Sequence, residues 1–223
     1  MKILVVEDNK KLLETIVLEV KKHFETESCE DGEEALYLIK QDIYDLIILD
    51  LMLPNMNGLD ILKNTRKAHI DTPIIILTAK ESLDNKVEAF KIGANDYLTK
   101  PFYMEELIAR IYAMLRTTGK LQGENSLDFY DLHLDLGKRR VFYKEEEIEL
   151  QNKQFNLLEY FLINKGSILL KEQIYDRIWG IESDATMEIV EVYVSNLRKI
   201  LSKYGYDKCI KTKRKVGYML DDK

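Results

Sequence analysis

The first half of the chain alternates short apolar runs with amphipathic stretches, and this alternation restricts the possible folds more than any other feature. The runs are about four residues long and the stretches between them carry apolar side chains at helical spacing. Parallel strands covered by helices on both faces are the packing solution for this order. We therefore predict an α/β domain with a doubly wound five-stranded parallel sheet, in which the polar segment Glu25–Cys29 forms an edge strand. The apolar runs are Ile3–Val6, Leu46–Leu49, Ile74–Leu77 and the weaker Tyr97–Leu98.

Polar side chains follow the buried strands, in the segments VVEDN, IILDLMLPNMNG, ILTAK and YLTKPF. These segments place Glu7, Asp8, Asp50, Thr78 and Lys100 at carboxyl ends of strands, which converge on one crevice in an open α/β sheet. Taken singly, each residue could be a helix cap or a solvated side chain. Together, three carboxylates would repel one another unless a cation neutralised them, and Mg²⁺ with a phosphoryl group suits such ligands. The lysine and the threonine hydroxyl would then contact the remaining phosphoryl oxygens.

These four segments resemble the receiver domain of two-component response regulators, over residues 1 to about 118. The resemblance implies a CheY-like fold in which Asp50 accepts a phosphoryl group from a phosphohistidine of a sensor histidine kinase. It also implies that the cofactor is Mg²⁺, bound by Glu7, Asp8, Asp50 and the main-chain carbonyl of Met52. The other positions that it assigns are Thr78 and Lys100 at the phosphoryl group, Tyr97 as a switch aromatic that turns inward, and Pro101 after a cis peptide bond.

The segment that follows the third strand predicts a turn over this crevice. Asn57 and Gly58 come shortly after Pro54, and a glycine there is free to adopt a positive φ. An ordinary loop explains these residues equally well.

Charged residues near the end of the first half have two interpretations. Glu106 and Arg110 are four residues apart, so they can form an exposed ion pair within one helix. A resemblance to regulators of the OmpR/PhoB type implies instead that Lys86 pairs with Glu106, and Asp96 with Arg110, across a two-fold interface. We therefore predict that phosphorylation converts a monomeric or weakly associated protein into a homodimer through these residues.

A polar, glycine-containing segment, RTTGKLQGEN, separates two regions of different charge. Residues 195–220 carry eight basic side chains against Asp207 alone, which is typical of a solvated basic face or of nucleic-acid binding. The pattern of strands, three helices and a β-prone hairpin predicts a winged helix-turn-helix α+β domain. We divide the chain into a receiver at 1–118, a linker at 119–125 and a DNA-binding domain at 126–223.

Three strings of the second half, KEQIYDRIWG, VEVYVSNLRKIL and RKVGYML, resemble the winged-helix output domain of the OmpR/PhoB family. The strings TAKESLDNK and WGIESDAT resemble its CiaR branch. The match implies that Glu188, Val192 and Asn196 face base edges. It assigns Tyr193, Ser195, Arg198 and Lys199 to the DNA backbone, and Arg214 and Lys215 to the wing. Glu188 departs from the arginine of many relatives, and Lys215 departs from the usual glycine of the wing turn.

The leading hypothesis is a transcription factor controlled by aspartate phosphorylation, which is not an enzyme beyond slow loss of its own phosphoryl group. A phosphotransferase with an aspartyl-phosphate intermediate is the alternative, but haloacid-dehalogenase-type enzymes need a second acid two residues after the nucleophile, where Met52 stands. A regulator independent of phosphorylation is a third hypothesis. The expected partners are a sensor histidine kinase and direct repeats in double-stranded promoter DNA, with RNA polymerase as a further candidate. The sequence has no apolar stretch of membrane-spanning length, and we expect a cytoplasmic protein.

Overall fold

The computed structural model describes residues 1–79, 83–121, 125–181 and 183–222, and only the main chain of residues 83–85. The chain divides into two compact units, Met1–Thr118 and Gly119–Lys223. The predicted linker includes residues 122–124, which lie outside the described residues. In the part of the chain that is described, every helix is too short or too polar to span a lipid bilayer.

The first unit is a parallel sheet with helices between its strands, as the alternating pattern predicted. Its strands are β1 (Lys2–Val6), β2 (Glu25–Cys29), β3 (Leu46–Asp50), β4 (Ile74–Thr78) and β5 (Asp96–Thr99). Its helices are α1 (Lys10–Val20), α2 (Gly32–Ile39), α3 (Gly58–Lys67), α4 (Leu83–Ile92) and α5 (Met104–Thr117). The strand order β2-β1-β3-β4-β5 is that of a doubly wound CheY-like sheet.

The polar strand β2 occupies an edge of this sheet, which confirms the prediction made from its composition. Main-chain pairing with β1 attaches it to the sheet, and polar side-chain contacts add to this pairing. Lys2 Nζ lies 2.8 Å from a carboxylate oxygen of Glu27, and the Tyr44 hydroxyl donates a 2.8 Å hydrogen bond to the same oxygen. The central strands β1, β3 and β4 are buried along their whole length, as strands covered on both faces require.

Side-chain caps fix the starts of the helices that follow the strands β1, β2 and β3. Asn9 accepts a hydrogen bond from the main chain of α1, Asp31 from that of α2, and Asn57 from that of α3. An N-cap oxygen satisfies a main-chain N–H that has no partner within the helix. Three helices therefore begin close to the carboxyl edge of the sheet, where the predicted site residues lie.

The second unit is a winged helix-turn-helix, as predicted. It begins with an antiparallel sheet of β6 (Ser126–Phe129), β7 (Leu132–Asp135), β8 (Arg140–Tyr143) and β9 (Glu146–Ile148). Then come α6 (Asn152–Ile163), β10 (Leu169–Leu170), α7 (Lys171–Trp179), α8 (Ile189–Ser202) and the hairpin β11 (Ile210–Lys213) and β12 (Gly217–Leu220). The sequence analysis missed the short strands β9 and β10, whose two or three residues show no clear periodicity. The strand β10 pairs with β12 and joins the hairpin to the base of α7.

The helix α8 has the amphipathic character that its sequence indicated. Val190, Val194, Leu197 and Leu201 are buried in the core of the second unit. This burial leaves the opposite face of α8 exposed to solvent, next to the hairpin that we call the wing (residues 210–220).

Candidate functional site

The carboxyl edge of the parallel sheet brings three carboxylates together. Carboxylate oxygens of Glu7, Asp8 and Asp50 lie within 4.8 Å of one another. Glu7 and Asp50 are 1% and 2% exposed, whereas Asp8 is exposed to solvent. The sequence prediction that these side chains share one crevice is therefore correct.

Lys100 lies between the two buried carboxylates. Its Nζ is 2.6 Å from Glu7 Oε2 and also donates a short hydrogen bond to Asp50 Oδ2. The peptide bond from Lys100 to Pro101 is cis, as the resemblance implied. Burial raises the pKa of the Glu7 carboxyl, and the hydrogen bond from the lysine opposes this rise. Burial by itself would lower the pKa of Lys100, but hydrogen bonds to Asp50 and Glu7 hold it above its ordinary value. The lysine thus stays cationic and offsets the charge of both carboxylates.

The donor set of this pocket fits a hard divalent cation. Three carboxylates from two adjacent strand ends supply oxygen ligands, with Asp8 on the solvent side, where water molecules could complete an octahedral shell. The main chain after β3 is also fixed: the Met52 N–H donates a 3.0 Å hydrogen bond to Asp50 Oδ1, and the Gly58 N–H donates one of 3.0 Å to the Leu51 carbonyl. These hydrogen bonds hold the main chain next to Asp50, the central residue of the pocket.

Gly58 has a different role from the one expected. It begins the helix α3 and does not adopt a positive φ, so that expectation was wrong. A Cβ atom at this position would lie 2.3 Å from the main-chain oxygen of Asp50. Gly58 thus allows the start of α3 to approach the end of β3, at the residue that carries the central carboxylate.

Thr78 and Tyr97 lie on the neighbouring strands β4 and β5, two residues apart in the register of the pair. Both side chains are buried, and a hydrogen bond joins the threonine hydroxyl to the tyrosine hydroxyl. Burial raises the pKa of Tyr97, and this hydrogen bond opposes the rise. Lys86 Nζ, on α4, lies 5.4 Å from the centre of the Tyr97 ring, within the range of a cation–π contact. A chain of contacts thus runs from the end of β4 to the surface of α4.

The charged residues on β5 and α5 pair within a single chain. Arg110 donates two hydrogen bonds to the Asp96 carboxylate, at 2.8 and 3.1 Å, and its Nη2 donates one of 2.7 Å to Glu106 Oε1. Glu106 and Arg110 therefore form the ion pair within α5 that the first interpretation predicted. Asp96 is a second carboxylate partner of the same arginine. Pairing of the same residues across a dimer interface stays a prediction.

The exposed face of α8 and the wing present most of the residues predicted to contact DNA. Tyr193 is half-buried instead, with its ring 5.1 Å from that of Trp179 in an edge-on contact. Lys215 has a φ of 62°, so a lysine occupies the left-handed position for which the glycine of other wings is suited. The exposed residues are Glu188, Val192, Ser195, Asn196, Lys199, Arg214 and Lys215.

Arg198 connects α8 to the wing. Its guanidinium donates hydrogen bonds of 3.0 and 2.6 Å to the Ile210 carbonyl and one of 2.8 Å to the Thr212 hydroxyl. The guanidinium also lies 5.7 Å from the centre of the Tyr218 ring. The sequence analysis assigned this arginine only to phosphate binding and missed its contacts with the wing, because no local pattern links it to residues twelve or more positions away.

Comparison with known proteins identifies the family. A family model described as "Response regulator receiver domain" matches residues 3–112, and one described as "Transcriptional regulatory protein, C terminal" matches residues 145–220. The transcriptional regulatory protein CiaR of Streptococcus pneumoniae is 47% identical over 221 residues, covering 99% of this chain and 98% of CiaR. The chain belongs to the response regulators. It is of the OmpR/PhoB type, with a receiver and a transcriptional regulatory domain.

Other relatives of this response regulator agree with that assignment. The response regulator ArlR of Staphylococcus saprophyticus is 39% identical over 220 residues, covering 98% of each chain. The solved receiver domain of the Francisella response regulator 1452 is 43% identical, with a TM-score of 0.51, and covers 52% of this chain and 98% of its own. The two named full-length relatives are a transcriptional regulatory protein and a response regulator, which agrees with the transcription-factor hypothesis and not with the phosphotransferase alternative. The similarity to CiaR also agrees with the branch that the sequence strings indicated.

Proposed function

We propose that this response regulator accepts a phosphoryl group on Asp50 from a sensor histidine kinase and that Mg²⁺ assists the transfer. The observation that carries the proposal is the pocket itself, in which a buried carboxylate lies within 4.8 Å of two others and against the ammonium of Lys100. Glu7, Asp8, Asp50 and the carbonyl of Met52 would hold the metal. The domains would be the receiver at 1–118, the linker at 119–125 and the DNA-binding domain at 126–223.

The transfer requires little covalent chemistry from the protein. An oxygen of Asp50 forms a bond to phosphorus while the bond from phosphorus to the histidine nitrogen breaks, and that nitrogen keeps the electron pair. Lys100 can turn from the Asp50 carboxylate to an oxygen of the bound phosphoryl group. When bound, Mg²⁺ would neutralise charge that develops on the phosphoryl oxygens.

We further propose that Thr78 and Tyr97 transmit the phosphorylated state to the surface of the receiver. The Thr78 hydroxyl can form a hydrogen bond either with Tyr97, as here, or with a phosphoryl oxygen. Loss of the first bond would let the buried tyrosine ring, against which Lys86 packs, follow the threonine further inward. A receiver homodimer through Lys86, Asp96, Glu106 and Arg110 is the proposed consequence, since each pair then forms twice about a two-fold axis.

The second domain is proposed to bind direct repeats in promoter DNA. The helix α8 would enter the major groove with Glu188, Val192 and Asn196 towards base edges, and Arg214 at the wing tip would enter the minor groove. Tyr193, Ser195, Lys199 and Lys215 would contact the DNA backbone. Arg198 can position the wing relative to α8 and still present part of its guanidinium to a phosphate.

Incubation with a low-molecular-weight acyl phosphate and Mg²⁺ tests the phosphorylation site. We expect the intact mass of the wild type to rise by one phosphoryl group, with loss of that mass at alkaline pH, as for an acyl phosphate. The Asp50→Asn variant should gain nothing, because an amide oxygen is a poor nucleophile. The Asp71→Asn variant, at an exposed position in the loop before β4, is the matched control and should behave as the wild type. Modification of Asp50→Asn to the wild-type extent would contradict the proposal.

The unusual lysine of the wing turn gives a second prediction. The Lys215→Gly variant should be more stable than the wild type by up to about 1 kcal/mol of unfolding free energy, because glycine adopts a positive φ without strain. The same variant should bind duplex DNA with a salt dependence whose logarithmic slope is about 0.9 less steep, because one phosphate contact is lost. Chemical denaturation and fluorescence anisotropy measure the two effects. An unchanged slope would remove Lys215 from the DNA-binding surface.

A further inference from the structure

The start of α8 carries two acidic residues on the face proposed to meet DNA. Glu188 precedes the helix and Glu191 lies in its first turn, and both are exposed. A carboxylate close to DNA repels the phosphates unless, as proposed for Glu188, it accepts a hydrogen bond from a base. The proposed DNA-binding mode does not account for Glu191.

Lys171, the first residue of α7, contacts Glu191, one of these two acidic residues. Its Nζ lies 2.8 Å from Glu191 Oε1, with 28% of the lysine side chain and 60% of the glutamate side chain exposed. The hydrogen bond to Glu191 raises the pKa of Lys171, and the charge of Glu188 adds to that rise. The ammonium is therefore near the surface but is bonded to a carboxylate.

The position of Lys171 is suited to a DNA phosphate. Its main-chain N–H points to the Val216 carbonyl at 3.4 Å, and its neighbour Leu170 pairs with Gly217 in the wing. Lys171 thus lies between the wing and α8, the two elements proposed to contact DNA. If its ammonium were not bonded to Glu191, Lys171 could contact a DNA phosphate from this position.

Packing of α7 against α8 does not depend on this ion pair. Ile174 and Val194 are buried in the core that the two helices share, and Trp179 contacts Tyr193 between them. An exposed ion pair adds little to stability because solvent screens it. The contact between Lys171 and Glu191 therefore has a small structural role.

We infer that Glu191 lowers the affinity of this protein for DNA of any sequence, because it holds Lys171 away from DNA phosphates. This inference rests on the proposed DNA-binding face. Binding to arbitrary sequences depends on phosphate contacts alone, whereas binding to a target also uses base contacts from α8. The loss of one phosphate contact therefore weakens binding to arbitrary and to target DNA by the same factor.

Salt titrations with a mixed-sequence DNA duplex test this role in the full-length protein. Compared with the wild type, Glu191→Gln should give a logarithmic salt slope steeper by about 0.9 and bind up to roughly eightfold more tightly at 0.1 M salt, as one added phosphate contact predicts. Glu145→Gln makes the same charge change in the turn between β8 and β9, and should leave the slope unchanged. An unchanged slope in Glu191→Gln would overturn the inference.

A second background separates release of Lys171 from a general effect of charge. In Lys171→Gln, the further change Glu191→Gln should alter the slope by much less than 0.9, because no lysine is left to release. An equal steepening in both backgrounds would overturn the inference. Arg214→Ala tests the underlying face independently: if it leaves the slope unchanged, the proposed DNA-binding face itself is wrong. If it reduces the slope while Glu191→Gln has no effect, only the role of Glu191 is wrong.

Discussion

The Lys100→Met variant should lose about 3 kcal/mol of unfolding free energy at neutral pH, because it leaves two buried carboxylates without their cation. Methionine keeps an apolar stem of similar length, so the change removes mainly the charge. Urea denaturation followed by circular dichroism measures the loss. The unfolding transition to follow is the one whose midpoint Mg²⁺ shifts, because that transition belongs to the unit that contains the pocket. The exposed Lys91→Met variant on α4 is the matched control and should change stability by less than about 0.5 kcal/mol.

This loss should depend on pH and on Mg²⁺. Burial already raises the pKa of Glu7, and removal of Lys100 removes a group that opposes the rise. The folded variant then binds a proton more tightly than the unfolded chain does, so its stability falls as the pH rises through the folded-state pKa. Mg²⁺ should restore stability, since the cation binds only the folded pocket. A loss that is the same in acid and at neutral pH, and that Mg²⁺ does not reduce, would contradict this account of the pocket.

The Gly58→Ala variant should be less stable by about 2–3 kcal/mol, because its Cβ would lie 2.3 Å from the main-chain oxygen of Asp50. The start of α3 or the end of β3 must move to relieve the overlap, and either movement displaces the Asp50 carboxylate. We therefore also expect Mg²⁺ affinity to fall roughly tenfold, as when the groups that orient metal ligands are disturbed. Chemical denaturation and titration calorimetry measure the two effects.

Gly119→Ala is the matched control for this variant. Gly119 has a φ of 71° and nothing within 4 Å of a built Cβ atom, so the substitution adds backbone strain of about 1 kcal/mol without a clash. It should leave Mg²⁺ affinity unchanged. Normal Mg²⁺ affinity in Gly58→Ala would show that the contact between α3 and β3 does not position the site.

The sequence predicted the parts of this protein that depend on chain order. Apolar runs of strand length, each followed by a polar residue, place Glu7, Asp50 and Thr78 at the carboxyl edge of one sheet whatever the details of packing. The edge position of β2 followed in the same way, because a polar strand cannot be buried on both faces. The apolar pattern of the sequence alone thus predicts which residues meet where adjacent strands end at the same edge of the sheet.

Contacts between distant side chains could not be predicted in this way. Arg198 bonds to the wing, and Lys171 bonds to Glu191, through geometry that no local periodicity records. Gly58 was recognised as a special position, but for the wrong reason, since its role depends on how closely α3 approaches β3. These features depend on how the helices and strands pack against one another, and no pattern within a short stretch of sequence predicts that packing.

Sedimentation of the full-length protein with Mg²⁺, with and without beryllofluoride as a mimic of the acyl phosphate, tests the central claim most directly. We expect the wild type to shift from monomer to dimer with beryllofluoride, and Asp50→Ala to stay monomeric because it lacks the carboxylate that binds the mimic. Glu106→Lys should bind the mimic yet stay monomeric, because it places like charges opposite Lys86 in the proposed interface. A wild type that stays monomeric with the mimic bound, or an Asp50→Ala variant that dimerises equally, would contradict the claim that modification of Asp50 drives assembly.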